Sequence, residues 1–190
     1  VRQALYQAID IEAIKKKVMR GLSEPAGIIT FPGVNGYTKE LDKRLPYDVD
    51  AAKKLLADAG YPKGFDVELR CPNDRYVNDE AICTAVVGML GKIGVNVNLF
   101  AQTKSKHFKE LKEDKGDFYM LGWGVPTLDS HYVFHYLYES GASWNKVNFS
   151  NSEVDAAIRV MEGEVDLDKR NAAIANAWKI VKDDISYLPL

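Results

Sequence analysis

The sequence lacks an excess of charge of either sign, which narrows the range of partners. Its 190 residues include 25 Lys and Arg against 27 Asp and Glu, giving a formal net charge of −2. A near-neutral chain has no general electrostatic basis for holding a polyanion, so we expect no nucleic-acid partner. Gly 14 and Pro 7 are ordinary counts, and 46% hydrophobic residues can form a substantial core. Disordered and collagen-like chains are therefore excluded, and the length suits one domain.

Long apolar runs and cysteines are also scarce. No stretch approaches the roughly 20 apolar residues that a transmembrane helix needs, and none is typical of a signal peptide. Because Val1 is followed at once by helical sequence, we expect a preceding segment, so the missing signal carries little weight. Cys71 and Cys83 could bond only if their Cα atoms approach within about 7 Å. Two half-buried thiols are the default expectation, and the redox compartment stays undecided.

The order of periodic segments predicts an α/β domain. Residues 65–71 alternate between apolar and polar side chains, residues 82–93 have helical spacing, and residues 95–99 alternate again. Strand, helix and strand make a βαβ unit with parallel strands. We also predict helices that begin at Asp10 and Asp48, an irregular connection over 22–47 and a third strand over 117–121.

The loop that follows the third predicted strand is the most informative stretch. Open α/β sheets bind ligands just beyond the carboxyl ends of their strands. Here Trp123 stands between Gly122 and Gly124, whose small size lets a ligand approach the backbone. Trp123 could pack against a small organic molecule, and Asp129 could pair with a cationic group. Alternatively, Trp123 is a core residue and Asp129 caps the next helix, and spacing alone favours this second interpretation.

The loop after the first strand offers weaker candidates. It contains Asn73 and Arg75, which could make polar contacts with a ligand, and Trp144 is a further candidate at the rim of a site. The alternative is an ordinary turn in which Asn73 or Asp74 caps the following helix. The residues leave both interpretations open.

His131, His135 and Glu139 fall at helical spacing and could hold a metal ion. However, the HExxH pattern of zinc proteases needs Glu directly after the first His, and Tyr132 stands there. We therefore expect structural or surface histidines and no cofactor. The sequence also contains no P-loop, no dinucleotide-binding motif and no Ser/His/Asp order, so it gives an enzyme no positive support.

Several runs of sequence, spread in order over essentially the whole chain, match a known family. They are Val1–Asp10, Tyr47–Pro62, Leu90–Val97, Gly122–Gly124, Asn148–Asp155 and Asp184–Leu190. The run Tyr47–Pro62, leading to Gly64-Phe65, is the most specific of them. In these motifs the chain resembles the C-terminal lobe of family 5 extracytoplasmic solute-binding proteins, the peptide, nickel and oligopeptide receptors of bacterial ABC importers.

This resemblance implies a fold and a role. The expected fold is a type II periplasmic-binding-protein-like lobe, similar to the C-terminal domain of dipeptide-binding proteins, with a partly parallel sheet flanked by helices. Residues 1–190 would form one monomeric lobe, and the other lobe would lie outside this chain. In the family, a small-molecule or peptide ligand binds between lobes that close over it, and the closed form docks on the membrane subunits of an ABC permease. Members are periplasmic or otherwise extracytoplasmic, often lipid-anchored, and break no bond.

One departure from the family bears on the cargo. Peptide-binding relatives often carry an Asp a few residues after this Trp, where it pairs with the peptide's amine, but residues 125–127 here are Val, Pro and Thr. Either Asp129 serves instead, or the cargo has no amine at that place. We predict a receptor for a small peptide or similar solute. The alternatives are a glutathione-like, sugar, opine or nickel-chelate cargo, or a metal-binding protein that uses the face of His131, His135 and Glu139.

Overall fold

The computed structural model describes residues 1–190, which form a mixed α/β structure. No helix is both long and apolar enough to cross a bilayer. Two helices, α2 and α6, continue as π-helical turns over Ile14–Val18 and Phe134–Tyr138. The helices are α1 (Arg2–Ala8), α2 (Ile11–Ala13), α3 (Val49–Asp58), α4 (Asp79–Gly91), α5 (Lys104–Lys112), α6 (His131–Val133), α7 (Ser152–Gly163) and α8 (Leu167–Asp184), and the strands are β1 (Phe65–Pro72), β2 (Val95–Gln102) and β3 (Phe118–Tyr119).

The chain contains two compact units. Unit 1 comprises Val1–Pro25 and Leu45–Gly122, and unit 2 comprises Ala26–Arg44 and Trp123–Leu190. The connection over 22–47 has no helix or strand, as predicted. Residues 26–44 of this connection nevertheless belong to unit 2. The sequence could not indicate this, because an irregular segment has no repeating apolar pattern that shows which side chains are buried.

The sheet of unit 1 confirms the predicted βαβ unit. Strand β1 pairs in parallel with β2 from Phe65↔Val95 to Pro72↔Gln102, and α4 connects the two strands. Strand β3 pairs in parallel on the other side of β1, so the strand order is β2-β1-β3. It is shorter than the predicted 117–121. Because all three strands are parallel, the loops after β1 and β3 leave the same edge of the sheet.

In unit 1, hydrogen bonds from capping side chains confirm the predicted starts of two helices, at Asp10 and Asp48. The Asp10 carboxylate accepts a hydrogen bond from the Ala13 N–H at 2.9 Å, and Asp48 accepts one from the Ala51 N–H at the same distance. Each bond satisfies a backbone donor that the first helical turn leaves free, so these two acidic residues set where the helices begin.

The two cysteines are bonded to each other, which corrects the expectation of free thiols. Cys71 at the end of β1 and Cys83 in α4 have Cα atoms 6.6 Å apart, and both side chains are buried. The sulfur of Met120 lies 3.7 Å from that of Cys71 and 3.6 Å from that of Cys83. The disulfide thus fastens α4 to the central strand beside the residue that follows β3.

The core of unit 2 includes a contact between the π-helical turn after α6 and helix α8. The rings of Phe134 and Trp178 lie 4.6 Å apart, and the Trp178 Nε1–H donates to the Ser130 hydroxyl at 3.0 Å. That hydroxyl in turn donates to the Asn35 carbonyl at 2.6 Å. A side chain at Gly36 would place its Cβ 2.4 Å from Ile174, so the irregular segment must carry glycine there to lie against α8.

The Asp129 carboxylate joins three parts of unit 2. Both of its oxygens accept hydrogen bonds from the Arg170 guanidinium, at 2.8 and 2.9 Å, and one accepts from Asn35 at 3.0 Å. The backbone N–H of His131, the first residue of α6, donates to it at 2.9 Å. Burial alone would raise the pKa of Asp129, but these bonds outweigh it, and the pKa lies below its usual value.

Reduction of the disulfide should destabilise unit 1. The bonded cysteines are 12 residues apart, and closing a loop of this length contributes about 3 kcal/mol to the free energy of unfolding. We expect urea unfolding followed by circular dichroism to show a loss of about 2–3 kcal/mol with dithiothreitol. The variant with both Cys71→Ala and Cys83→Ala is the control, because its unfolding must not respond to the reductant. Equal stability of the wild type in both buffers would contradict this role.

Asp129→Ala should destabilise unit 2 by about 2–4 kcal/mol, because it removes a helix cap and leaves Arg170 half-buried and unpaired. All three tryptophans belong to unit 2, so their fluorescence during urea unfolding measures the effect. Asp58→Ala is the control, because it breaks the exposed Lys54–Asp58 pair and should cost under about 0.5 kcal/mol.

The stabilising effect of Asp129 should also depend on pH. Because its pKa is depressed in the folded state, its contribution to the free energy of unfolding is present above about pH 4 and is lost as the pH falls below that value. A pH-independent difference from wild type would argue against the ion pair.

Candidate functional site

In unit 1, the loops after β1 and β3 meet through Tyr76 and Gly122. The Tyr76 hydroxyl donates a hydrogen bond to the Gly122 carbonyl at 3.3 Å. A Cβ at Gly122 would lie 2.6 Å from the Tyr76 ring, so the ring needs glycine at that position. The sequence suggested that Gly122 lets a ligand approach, and the structure shows that a side chain of the protein occupies this space.

Asp79, which the sequence analysis did not single out, holds the loop after β1. It is buried, and one carboxylate oxygen accepts hydrogen bonds from the N–H groups of Arg75 and Tyr76, each at 2.9 Å. Burial favours a raised pKa, yet the backbone donors outweigh burial and lower the pKa of Asp79. The backbone on which Arg75 sits is therefore held in one conformation.

The side chains predicted for this loop lie at the surface. Asn73 and Arg75 are exposed, and the Arg75 guanidinium lies 5.1 Å from the centre of the Tyr76 ring. Asp74 does cap a helix, but the helix is α5, where it accepts a hydrogen bond from the Lys104 N–H at 2.5 Å. The cap predicted for the next helix in sequence thus serves a helix further along the chain.

In unit 2, Trp123 is the centre of an aromatic cluster, which we define as Trp123, Tyr132, Tyr136 and Trp144. The centre of the Trp123 ring lies 6.0, 5.9 and 5.9 Å from those of the other three. The Tyr132 and Tyr136 rings are 4.8 Å apart. Both tyrosines come from α6 and its π-helical turn, where residues four apart lie on one face.

The aromatic cluster presents both apolar faces and an unused donor. All four of its side chains are partly exposed. The Trp123 Nε1–H is buried and has no hydrogen-bond partner, which is costly unless a bound molecule accepts from it. Next to it, a Cβ at Gly124 would meet no atom within 4 Å, so the backbone is open there. This arrangement can stack on a small organic molecule and donate one hydrogen bond to it.

Asp129 lies five residues after Gly124 but is already engaged by the protein. Its carboxylate accepts bonds from Arg170, Asn35 and the His131 backbone, as described above. This geometry favours the interpretation of Asp129 as a helix cap and leaves it little capacity to pair with the amine of a ligand.

A neighbouring face of α6 and its π-helical turn carries the two histidines, and the His135 ring lies 4.9 Å from that of Tyr136. The rings of His131 and His135 stack with centres 5.6 Å apart. A ligand atom from each and one from the Glu162 carboxylate all lie within 4.8 Å of one another. Glu139, the third ligand that the sequence suggested, is outside this group. Of the two histidines it contacts His135, whose Nδ1 lies 2.8 Å from Glu139 Oε2. Glu162 belongs to α7, so sequence spacing could not have related it to the histidines.

Sequence reasoning also missed Tyr132 and Tyr136 as members of the aromatic cluster. Their spacing of four residues was a usable signal, because it places both rings on one face of a helix. Asp79 carried no such signal, because its contacts depend on how the loop after β1 turns back upon it.

Comparison with known proteins assigns the chain to a family. Residues 1–145 match the model for bacterial extracellular solute-binding proteins, family 5 Middle. The chain is 29% identical to heme-binding protein A of Haemophilus influenzae over 198 residues, covering all of the chain and 36% of that protein. It is 30% identical to the dipeptide-binding protein of Escherichia coli over 153 residues, covering 79% of the chain and 28% of that protein.

A solved structure agrees with this assignment. The dipeptide-binding protein of Pseudoalteromonas sp. SM9913, in complex with Met-Leu, matches with a TM-score of 0.85 and 27% identity, over 99% of this chain and 38% of that one. The predicted periplasmic-binding-protein-like fold is thereby confirmed. The matches cover between 28% and 38% of the length of these relatives. It belongs to the bacterial extracellular solute-binding proteins of family 5.

Proposed function

We propose that this chain is the C-terminal lobe of the solute-binding component of a bacterial ABC importer. The lobe would bind a small peptide or similar solute together with a second lobe, and the closed receptor would deliver it to the permease. The aromatic cluster carries this proposal, because partly exposed aromatic faces with an unpaired donor suit reversible capture of an organic solute. No covalent step is needed, so we propose a receptor and not an enzyme.

The proposed ligand contacts have different strengths of support. Trp123 would stack on the solute and donate from Nε1, Gly124 would leave room for it, and Trp144 would extend the apolar surface. In unit 1, the exposed side chains of Asn73 and Arg75 remain candidates for polar contacts. Asp129 has a positioning role in this proposal, since it holds the first turn of α6, which carries Tyr132.

The engagement of Asp129 supports a second candidate for the cargo. Among residues 122–129, which follow β3, Asp129 is the only acidic residue, and its oxygens already accept four hydrogen bonds. A cargo without an amine at this place, such as a glutathione-like molecule, a sugar, an opine or a metal chelate, would leave no cation unpaired. A small peptide would need its amine to pair elsewhere, for example on the second lobe.

The disulfide supports a location outside the cytoplasm. Disulfides persist in oxidising compartments and are rare where glutathione and thioredoxin keep thiols reduced. The Cys71–Cys83 bond therefore agrees with an exported receptor, in the periplasm or otherwise facing outward. Lipid anchoring and docking on permease subunits belong to the same proposal.

Trp123→Ala should remove the solute that co-purifies with the full-length protein. Mass spectrometry of the wild-type protein, purified without denaturation, should identify a bound peptide or similar molecule. With that molecule in calorimetry, loss of the central aromatic should weaken binding by about 30-fold or more, the effect of removing about 2 kcal/mol. Trp123→Phe should fall between, since it keeps an aromatic face but loses the Nε1 donor.

Tyr47→Ala is a matched control, because Tyr47 is an exposed aromatic residue of unit 1 outside the aromatic cluster. It should leave the affinity within about twofold of wild type, within the ±0.5 kcal/mol usual for surface substitutions. Wild-type affinity in Trp123→Ala would remove the main support for the proposed site.

The isolated chain should bind the identified solute much more weakly than the full-length protein does. If the chain supplies only part of the cleft, the contacts of the second lobe are missing and less of the ligand is buried. Calorimetry on both proteins with the same solute measures the difference, and circular dichroism verifies that the isolated chain is folded. Equal affinities would refute the two-lobe proposal.

A further inference from the structure

The proposed solute site uses the tyrosine face of α6 and its π-helical turn, and the neighbouring face has no role in it. That face carries His131 and His135, with Glu162 of α7 beside them. The two rings are stacked, and each has a carboxylate beside one of its nitrogens: Glu162 Oε1 lies 3.6 Å from His131 Nε2, and Glu139 Oε2 lies 2.8 Å from His135 Nδ1. Imidazole and carboxylate groups that converge in this way are typical ligands of divalent metal ions.

We propose that His131, His135 and Glu162 form a binding site for a divalent transition-metal ion such as Zn²⁺. Two imidazoles and one carboxylate are a common ligand set for zinc, which takes a water molecule as its fourth ligand when the protein supplies three. The proposal rests on unit 2 alone and is independent of the cargo. The metal would link the π-helical turn that follows α6 to α7.

The distances are compatible with this set after small side-chain movements. Zinc lies about 2.0–2.2 Å from imidazole nitrogen and carboxylate oxygen, so tetrahedral ligand atoms are about 3.4 Å apart. Here the three ligand atoms lie within 4.8 Å of one another, and His131 Nε2 is 3.6 Å from Glu162 Oε1. Glu162 is exposed at the end of a long side chain and can make up the difference by rotation.

Arg159 forms ion pairs with Glu162 and Glu139 but leaves one oxygen of each carboxylate facing a histidine. Its guanidinium contacts Glu162 through Oε2 at 2.8 Å and Glu139 through Oε1. Oε1 of Glu162 therefore still faces His131, and Oε2 of Glu139 lies 2.8 Å from His135 Nδ1. A carboxylate beside a ligating imidazole fixes the orientation of its ring, which is the role that we assign to Glu139. The arginine competes with a metal cation for the same negative charge.

Calorimetry with ZnCl₂ on metal-free, full-length protein purified without a His-tag tests the site. We expect saturable binding that is lost in the variant with both His131→Ala and His135→Ala. Glu162→Gln should weaken binding at least tenfold, since even loss of a residue that orients a ligand costs 10–100-fold. Glu164→Gln is the matched control, because it removes the same charge just after α7, outside the site, and should leave the affinity unchanged.

Arg159→Gln provides a test in the opposite direction. It removes the competing cation, so Zn²⁺ should bind several-fold more tightly, an outcome that simple loss of structure would not produce. Circular dichroism should show that each variant is folded. The proposal is overturned if the wild type shows no saturable binding, if the double histidine variant still binds, or if Arg159→Gln binds no more tightly than wild type.

Discussion

The bidentate ion pair between Asp129 and Arg170 is the constraint on which the arrangement of unit 2 depends. It connects the start of α6 to α8, and through Asn35 it includes the irregular segment that precedes unit 2's helices in sequence. Both partners are only partly exposed, so the pair is screened less by solvent than a surface contact. Trp123 precedes Asp129 by six residues and Tyr132 follows it by three, so the ion pair anchors the chain between two members of the aromatic cluster.

The π-helical turn after α6 gives the same segment two chemically different faces. Spacing of four residues stacks His131 on His135 and brings Tyr132 against Tyr136. One face is therefore aromatic and suited to an organic solute, while the other offers imidazole nitrogens. Widened turns of this kind often occur at functional sites, because they redirect side chains that an α-helix would spread around its axis.

Features encoded by local periodicity could be predicted from the sequence. The alternation over 65–71 and 95–99 identified two parallel strands, and Asp10 and Asp48 marked helix starts. The candidate site was harder, because its chemistry depends on contacts between distant residues. Arg170 decides that Asp129 is engaged, and Glu162 replaces Glu139 beside the histidines. Neither partner shares a helix with the residue that it contacts, so no spacing rule relates them.

The division into two units and the disulfide were hidden for related reasons. An irregular segment has no amphipathic period, so its assignment to a core depends on packing that only the folded chain shows. The two cysteines become partners because α4 crosses back over the strand that it follows. How closely a crossover helix lies against its strand is a tertiary property, set by side chains along the whole contact.

The disulfide also makes the stability of unit 1 depend on redox conditions. Two cysteine thiols form a lasting disulfide only in an oxidising environment. The stability that the Cys71–Cys83 bond adds to unit 1 is therefore acquired on oxidation and is absent while the thiols are reduced. The covalent bond that fastens α4 to β1 thus separates two folded forms of one sequence, a less stable reduced form and a more stable oxidised form.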